Sequence, residues 1–102
     1  MEDILNISSP PTAIVCANDS RALHLLQYCK KNRIRVPKDV AVVGFDNIEE
    51  TNFSHPPLTS VDTMLEKQGE KVLELLLKRK KGILKEPTVV RLKPELVVRE
   101  SS

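Results

Sequence analysis

VAVVGFDNIEET, residues 40–51, starts as an unbroken apolar run and then turns polar at Asp46 and Asn47. An apolar run without alternation is typical of a strand that is covered on both faces of a parallel sheet. In open α/β sheets, ligands bind in the crevice beyond the carboxyl ends of such strands. The stretch therefore predicts a core strand over residues 40–44 that places Asp46 at a ligand site, while Phe45 alternates with Asp46 and packs under the sheet.

An earlier strand and helix are predicted on the amino-terminal side of this stretch. TAIVCA, residues 12–17, is a short apolar run with β-branched residues, and Asn18 follows it as a good helix N-cap. A strand–helix–strand order makes the two strands parallel, so Asn18 and Asp46 are expected at the same edge of the sheet. The helix is predicted to extend to about residue 32 because apolar residues recur at helical spacing: Ala22, Leu25, Leu26 and Cys29.

A loop, a third strand and a longer helix are predicted after Asp46. Residues 48–57 contain two prolines and favour a loop, and LTSV, residues 58–61, favours a short strand. A broad apolar face then predicts a helix over residues 64–81, in which Glu74 pairs with Lys78. We assign structural roles at helix ends to Asp19 in the first helix, and to the basic last turn and Gly82 in the longer one.

The carboxyl-terminal stretch repeats the strand pattern on either side of Pro94. TVVRL, residues 88–92, and ELVVR, residues 95–99, predict two short strands or one strand that bends at a crossing point. With the elements before them, they indicate an α/β fold in which helices flank a mainly parallel sheet.

Composition excludes several classes of function. The chain has 102 residues, of which 40% are hydrophobic and 29% charged, as expected of one globular unit. A net charge of +2 and 3% aromatic residues do not favour a nucleic-acid surface. The acidic start, MEDILN, is unlike a secretory signal, and no apolar run approaches the roughly 20 residues that span a bilayer, so a cytoplasmic protein without a membrane partner is expected.

The cysteines and histidines lack the spacing of a metal or catalytic site. Cys16 and Cys29 are expected to be buried free thiols, and His24 and His55 are expected at the surface. The sequence therefore predicts no catalytic residue, no metal and no cofactor, and we do not expect an enzyme.

Four blocks of sequence resemble the carboxyl-terminal part of a LacI/GalR family transcriptional regulator. They are PTAIVCANDSRAL, VPKDVAVVGFDN, PPLTSV and PELVVRESS, in this order, and they cover the chain from about residue 10 to its last residue. The resemblance implies an incomplete Rossmann-like sheet with flanking helices, of the periplasmic binding protein type I-like kind. It also implies an effector held between two lobes, a homodimer, and operator DNA bound by a separate helix-turn-helix headpiece.

The resemblance further implies how the chain divides between the two lobes. Crossings are expected near residues 61–63 and 92–94. No DNA-binding headpiece is expected within this chain, which would then be a truncated product, a fragment of a larger reading frame or a deliberately shortened piece, and a poor sensor alone. The expected division is residues 1–61 in the carboxyl-terminal lobe, 62–93 with the helix at 64–81 in the amino-terminal lobe, and 94–102 in the carboxyl-terminal lobe again.

Asn18, Asp46 and Thr63 are the expected ligand-binding residues. Asn18 and Asp46 match family positions that resemble effector contacts, and a carboxylate with an amide suits the hydroxyls of a sugar or the ring N–H groups of a purine. Asn18 serves equally well as a plain helix cap, and Asp46 could bond its own backbone in a turn. Thr63 stands where the family often carries Gln, and its shorter reach leaves the effector open.

A dimer interface is implied on the first helix and on the loop near residue 54. The residues expected there are Leu23, Gln27, Tyr28 and Ser54. Leu23 and Tyr28 lie off the main apolar stripe of that helix, and a place at the rim of the core is the alternative for both.

Three functions are compatible with these observations. The leading one is an effector-sensing and dimerising segment of a repressor that responds to a sugar or a similar small polar ligand. A small enzyme or phosphoacceptor domain, with Asp46 as nucleophile and Asp19 helping to hold Mg²⁺, has little support because the chain lacks a glycine-rich phosphate loop. A periplasmic-type sugar-binding protein is disfavoured by the missing signal sequence.

Overall fold

The computed structural model describes residues 6–102, so the acidic start of the chain, on which the expected location partly rested, lies outside the described residues. The elements follow the predicted order, with an additional short 3₁₀ helix in the loop after the second strand. They are β1 (Ala13–Val15), α1 (Asp19–Lys31), β2 (Ala41–Phe45), the 3₁₀ helix (Glu49–Asn52), β3 (Thr59–Asp62), α2 (Leu65–Lys80) and β4 (Glu95–Val97).

The four strands form one sheet in the order β1-β2-β3-β4. β1 pairs with β2, and β2 with β3, in the predicted parallel sense. β4 is antiparallel to β3, with Glu95 opposite Asp62. The chain leaves the sheet at the end of β3 and returns beside that same end, so β4 must run in the opposite direction. The α/β prediction is confirmed, with a mixed rather than wholly parallel sheet.

The strand predicted at residues 88–92 is absent, and only the second of the two predicted carboxyl-terminal strands forms. Instead, Val90 and Leu92 line a shallow groove together with Val72 and Leu75 of α2. A β-rich sequence becomes a strand only where a sheet edge is available to pair with it. Among residues 6–102, no strand lies beside this segment.

The core lies between α1 and one face of the sheet. Its members are each at most 8% exposed, and burying such a side chain typically stabilises a fold by about 1.5–3 kcal/mol. The predicted stripe of α1 supplies Ala22, Leu25, Leu26 and Cys29, and the sheet side supplies Val40, Val42 and Leu58.

The opposite face of the sheet is open, so the prediction that both faces are covered is wrong for the described chain. Val15 is 72% exposed and Phe45 is 40% exposed, so Phe45 does not pack under the sheet as expected. Cys16 is only half-buried, whereas Cys29 is buried, and both are free thiols. α1 covers one face alone, and within residues 6–102 no second helix packs on the other.

α2 stands away from this core and contributes no buried residue. Lys78 Nζ lies 2.7 Å from a carboxylate oxygen of Glu74, as predicted. Gly82, at φ 73°, ends the helix as expected, because the N–H groups of Gly82 and Ile83 bond back to the last turn. The chain measures 60 × 27 × 18 Å. Among the described residues, no helix is long and apolar enough to cross a membrane.

Candidate functional site

The three predicted ligand residues follow the carboxyl ends of three neighbouring parallel strands. Asn18 comes after β1, Asp46 after β2 and Thr63 after β3. Because parallel strands end at the same edge of the sheet, all three lie along one edge, as predicted for Asn18 and Asp46, but only Asp46 lines the cleft found there.

Asp46 opens a cleft of about 470 Å³ at this edge. Its backbone has φ 109°, a conformation that L-residues rarely adopt, and its N–H donates to the carbonyl of Val61 at 2.9 Å. This bond fixes the backbone at the end of β2 against β3. The cleft is lined by Asp46, Asn47, Ile48, Asp62, Leu65 and Glu66, so residues from the sheet edge and from the start of α2 face the same space.

Thr63 has an unsatisfied polar atom, although it is not among the residues that line the cleft. Its hydroxyl oxygen is buried and has no hydrogen-bond partner among the described residues. An unpaired buried hydroxyl typically destabilises a protein by about 1–3 kcal/mol, so such an atom calls for an explanation. Because protein atoms cover this oxygen, a ligand could bond it only after the surrounding residues move.

Asn18 acts as the N-cap of α1. Its Oδ1 accepts a hydrogen bond from the backbone N–H of Arg21 at 3.0 Å. The cap reading of Asn18 is therefore observed, and it leaves the side-chain Nδ2 as the group that a ligand could use.

Asp19 holds the sheet edge together, a role beyond the cap or dipole partner that the sequence indicated. The residue is 1% exposed. Its Oδ2 accepts from the N–H of Ile48 at 2.9 Å, and its Oδ1 accepts from the hydroxyl of Ser60 at 2.6 Å. Both oxygens are thus used within the fold, which argues against the alternative in which Asp19 holds Mg²⁺ for a phosphoacceptor at Asp46.

Asn47 is the residue that sequence reasoning missed beside Asp46. Its N–H donates to the Ser60 hydroxyl at 3.1 Å, its Nδ2 donates to Asp62 at 3.1 Å, and its Oδ1 accepts from Arg99 at 2.8 Å. Asn47 has φ 54°, and Asn enters this left-handed region more readily than most residues. The only sequence signal was an Asn immediately after the predicted ligand carboxylate.

The last residues of the chain are hydrogen-bonded to the sheet. The Ser101 hydroxyl donates to the carbonyl of Val42 at 2.6 Å and accepts from the N–H of Thr59 at 2.8 Å. Ser101 is fully buried. A polar pair of serines at the end of a sequence carries no local signal of this role, since both partners are distant along the chain.

Three of the four predicted dimer residues line a groove of about 440 Å³ between α1 and the loop that contains the 3₁₀ helix, which we call the α1 groove. Ser54 donates to the carbonyl of Pro56 at 2.9 Å, which fixes the loop that closes this groove. Tyr28 is half-buried and does not line it. The lining residues are Leu23, Leu26, Gln27, Lys30, Glu50, Phe53, Ser54 and His55.

The cysteines and histidines lie outside the cleft. Burial raises the pKa of the Cys29 thiol. Burial also raises the pKa of the Cys16 thiol, although the positive charge of Arg21 acts to lower it. His24 and His55 are exposed, as predicted. In the described part of the chain, no three potential metal ligands come together.

Comparison with known proteins places these features in a family. A model of the periplasmic binding protein-like domain matches residues 1–102. The HTH-type transcriptional repressor PurR of Vibrio campbellii (strain ATCC BAA-1116) is 37% identical over 100 residues, which make up 98% of this chain and 30% of that protein. The chain therefore spans less than a third of the length of this curated relative.

Solved structures show the same similarity. The transcriptional regulator CelR, in its complex with cellobiose, superimposes with a TM-score of 0.84 at 37% identity, over 89% of this chain and 28% of CelR. The Lac repressor dimer bound to operator and the anti-inducer ONPF gives a TM-score of 0.79 at 31% identity, over 89% of this chain and 32% of the repressor. This chain therefore belongs to the periplasmic binding protein-like domain family, and it corresponds to part of the effector-binding domain of LacI/GalR-type transcriptional regulators.

Proposed function

We propose that this chain contributes effector contacts and a dimer surface to a cytoplasmic transcriptional repressor. The observation that carries the proposal is the cleft at the carboxyl edge of the sheet, which Asp46 lines together with residues from the start of α2. This edge is where open α/β sheets bind ligands. The whole protein's repression and its binding to operator DNA through a headpiece are part of the proposal, because the relatives are transcriptional repressors.

The effector we propose is a small polar molecule, a sugar or a purine-like compound. The Asp46 carboxylate accepts hydrogen bonds from hydroxyl or ring N–H groups, whereas the Thr63 hydroxyl and the Asn18 Nδ2 can donate to ring or hydroxyl oxygens. The complex of CelR with cellobiose favours a sugar, while the pairing of a carboxylate with an amide keeps a purine-like compound in the proposal.

The mechanism follows from what lines the cleft. Asp46 belongs to the segment before the crossing at residues 61–63, and Glu66 belongs to the segment after it. A ligand that contacts both segments favours the arrangement in which they are closest, so its binding shifts the population of lobe arrangements. Such coupling to DNA affinity is typically worth about 1–3 kcal/mol. The proposed lobes are residues 1–61 with 94–102, and residues 62–93.

The α1 groove is proposed as part of a homodimer interface. Phe53, at its rim, is 71% exposed, although it is a large apolar side chain. Leu23, Gln27 and Ser54 line the groove, and Tyr28 lies on the same helix. A symmetric dimer buries the same patch twice, so one substitution removes two contacts. Leu23→Glu is therefore expected to weaken the dimer in sedimentation, while Lys38→Glu, outside the groove, should not.

The decisive experiment begins with the genomic sequence upstream of Met1. If a helix-turn-helix region and a first lobe are in frame, the complete protein is screened by thermal shift against sugars, including cellobiose, and against purine bases. We expect at least one of these compounds to raise the melting temperature, and we expect Asp46→Ala to abolish that shift.

A control variant separates ligand contact from general damage. Asp39→Ala removes a carboxylate that bonds Arg35, away from the cleft, and should leave the ligand-induced shift intact. An Asp46→Ala protein that keeps the full shift would refute the ligand role of Asp46. If the upstream region encodes an unrelated gene, the repressor proposal fails and association of the 102-residue chain becomes its testable property.

A further inference from the structure

We propose that Asn47 and Arg99 are positioning residues that hold the Asp46 carboxylate in its binding orientation, and that Asn47, although it lines the cleft, serves the effector through Asp46 rather than by a contact of its own. The inference rests on the function proposed above, because it assigns Asp46 to the effector. Asn47 acts on Asp46 through the backbone turn that the two residues share, and Arg99 acts through its hydrogen bond to Asn47.

Asn47 is hydrogen-bonded in three directions. Its backbone N–H, its Nδ2 and its Oδ1 each have a partner, at 3.1, 3.1 and 2.8 Å respectively. These partners are Ser60, Asp62 and Arg99, which lie 13, 15 and 52 residues away in sequence. A residue anchored in three directions fixes the backbone on either side of it.

The Asn47 amide has one defined orientation. Its oxygen faces the Arg99 guanidinium, which has only donors, and its nitrogen faces the Asp62 carboxylate, which accepts when ionised. A flipped amide would set donor against donor and acceptor against acceptor. The two charged neighbours therefore allow a single orientation.

The turn after β2 has a backbone conformation that few residues adopt. Asp46 and Asn47 have φ of 109° and 54°, so two consecutive non-glycine residues lie at positive φ. Conformations of this kind typically destabilise the backbone by about 1–3 kcal/mol each and persist only where surrounding contacts impose them. The contacts of Asn47 supply this constraint next to the residue whose carboxylate opens the cleft.

Arg99 connects the turn to the sheet by donating to two acceptors. Its guanidinium donates to the carbonyl of Leu58 at 2.7 Å and to Oδ1 of Asn47, and it forms no ion pair among residues 6–102. A lysine has a single nitrogen at its end and lacks the planar fork that spans these two acceptors. Arg99 thus fastens the turn after β2 to the start of β3.

Asp62 extends this connection toward α2. While one of its oxygens accepts from Asn47, the other accepts from the N–H of Met64 at 2.7 Å, at the residue that precedes α2 and has φ 58°. The chain of bonds from Arg99 through Asn47 to Asp62 therefore links the turn at Asp46 to the proposed lobe crossing.

The sharpest variant is Asn47→Gly, because glycine accepts positive φ freely but makes no side-chain bond. The ligand-free readout is hydrogen exchange at the Asp46 N–H, which bonds Val61, against exchange at the Cys16 N–H, which bonds Val43 in the same sheet. In the complete protein that contains this chain, we expect protection of the Asp46 N–H to fall about tenfold, with Cys16 unchanged. Asn52→Gly, at an exposed asparagine, is the matched control.

The binding readout uses the sugar or purine base that gives the largest thermal shift in the screen above. We expect Asn47→Gly to raise its Kd about tenfold, and Arg99→Lys to raise it less. In an Asp46→Ala background the same substitutions should have no further effect, because the carboxylate they position is gone. This non-additivity separates positioning from a general loss of structure.

The outcomes decide between the alternatives. Wild-type protection of the Asp46 N–H in Asn47→Gly would overturn the proposal, since backbone conformation alone would then explain the asparagine. Weaker binding with unchanged protection would also overturn it, because Asn47 would then contact the effector directly. If no probe binds the wild-type protein, the proposed effector function fails, whereas hydrogen exchange still decides whether Asn47 holds the turn.

Discussion

Gly44 and Asp19 approach so closely that a Cβ atom built on Gly44 would lie 2.0 Å from Oδ1 of Asp19. Asp19 is 1% exposed, and both of its carboxylate oxygens accept hydrogen bonds, so its side chain cannot retreat without leaving Ile48 or Ser60 unpaired. A residue with no side chain in the middle of β2 is therefore what allows the buried carboxylate to connect the strand ends.

Gly44→Ala should be strongly destabilising for this reason. We expect the free energy of unfolding to fall by about 3 kcal/mol, the upper part of the range for overpacked cores. Urea denaturation followed by circular dichroism would measure it. Gly69→Ala is the matched control, because no atom lies within 4 Å of the added Cβ, and alanine in the middle of α2 should stabilise it by about 0.5–1 kcal/mol. Equal stability of wild type and Gly44→Ala would refute the packing argument.

Two substitutions of Asn18 separate its capping role from its proposed ligand contact. Asn18→Ala removes the acceptor for the N–H of Arg21 and should lower stability by about 1 kcal/mol. Asn18→Asp keeps an acceptor at the cap and adds a charge at the helix N-terminus, so stability should be retained. If Asn18 contacts the effector through Nδ2, the aspartate variant binds the effector more weakly. Retained stability with unchanged affinity would leave Asn18 as a cap alone.

The ion pair between Arg35 and Asp39 predicts how the stability of the fold changes at low pH. The hydrogen bonds from Arg35 lower the pKa of Asp39 from its ordinary value of 3.8 to about 2. Because the folded pKa lies below the unfolded one, the contribution of this carboxylate to stability is complete above the unfolded value and is lost as the pH falls toward 2. NMR titration should show the pKa of Asp39 rising toward 3.8 in Arg35→Gln. An unchanged pKa would mean that the guanidinium of Arg35 is not its cause, since the backbone N–H of residue 35 still donates to Asp39 in this variant.

The elements that the sequence predicted well are those governed by local spacing. The apolar stripe of α1 and the cap at Asn18 involve residues three or four positions apart, and Gly82 ends α2 through bonds within the last turn. Such patterns are visible in any short window of sequence. The parallel order of β1, β2 and β3 then followed from the handedness of crossovers.

What the sequence did not predict depends on distant partners. Asp19 bonds residues 29 and 41 positions away, and the bond between Arg99 and Asn47 spans 52 positions. No local pattern distinguishes these residues from ordinary caps or surface charges. The failed strand at residues 88–92 has the same origin, since its β-rich sequence was evident but the absence of a neighbouring sheet edge was not. The place of Asp46 at the sheet edge was predicted, whereas the contacts that hold the turn after it were not, and the ligand roles of Asn18, Asp46 and Thr63 stay predictions.

The exposed apolar face of α2 is expected to make the 102-residue chain associate. Leu65, Val72, Leu73 and Leu76 are each more than half exposed. Contiguous apolar surface of this kind promotes self-association, because contact between two copies removes it from water. We expect the chain to sediment as a concentration-dependent mixture of species, and we expect the double variant Leu73→Glu, Leu76→Glu to shift it toward monomer. Lys67→Glu, on the same helix, changes the net charge equally and should not. A monodisperse wild-type monomer that unfolds cooperatively would contradict this prediction.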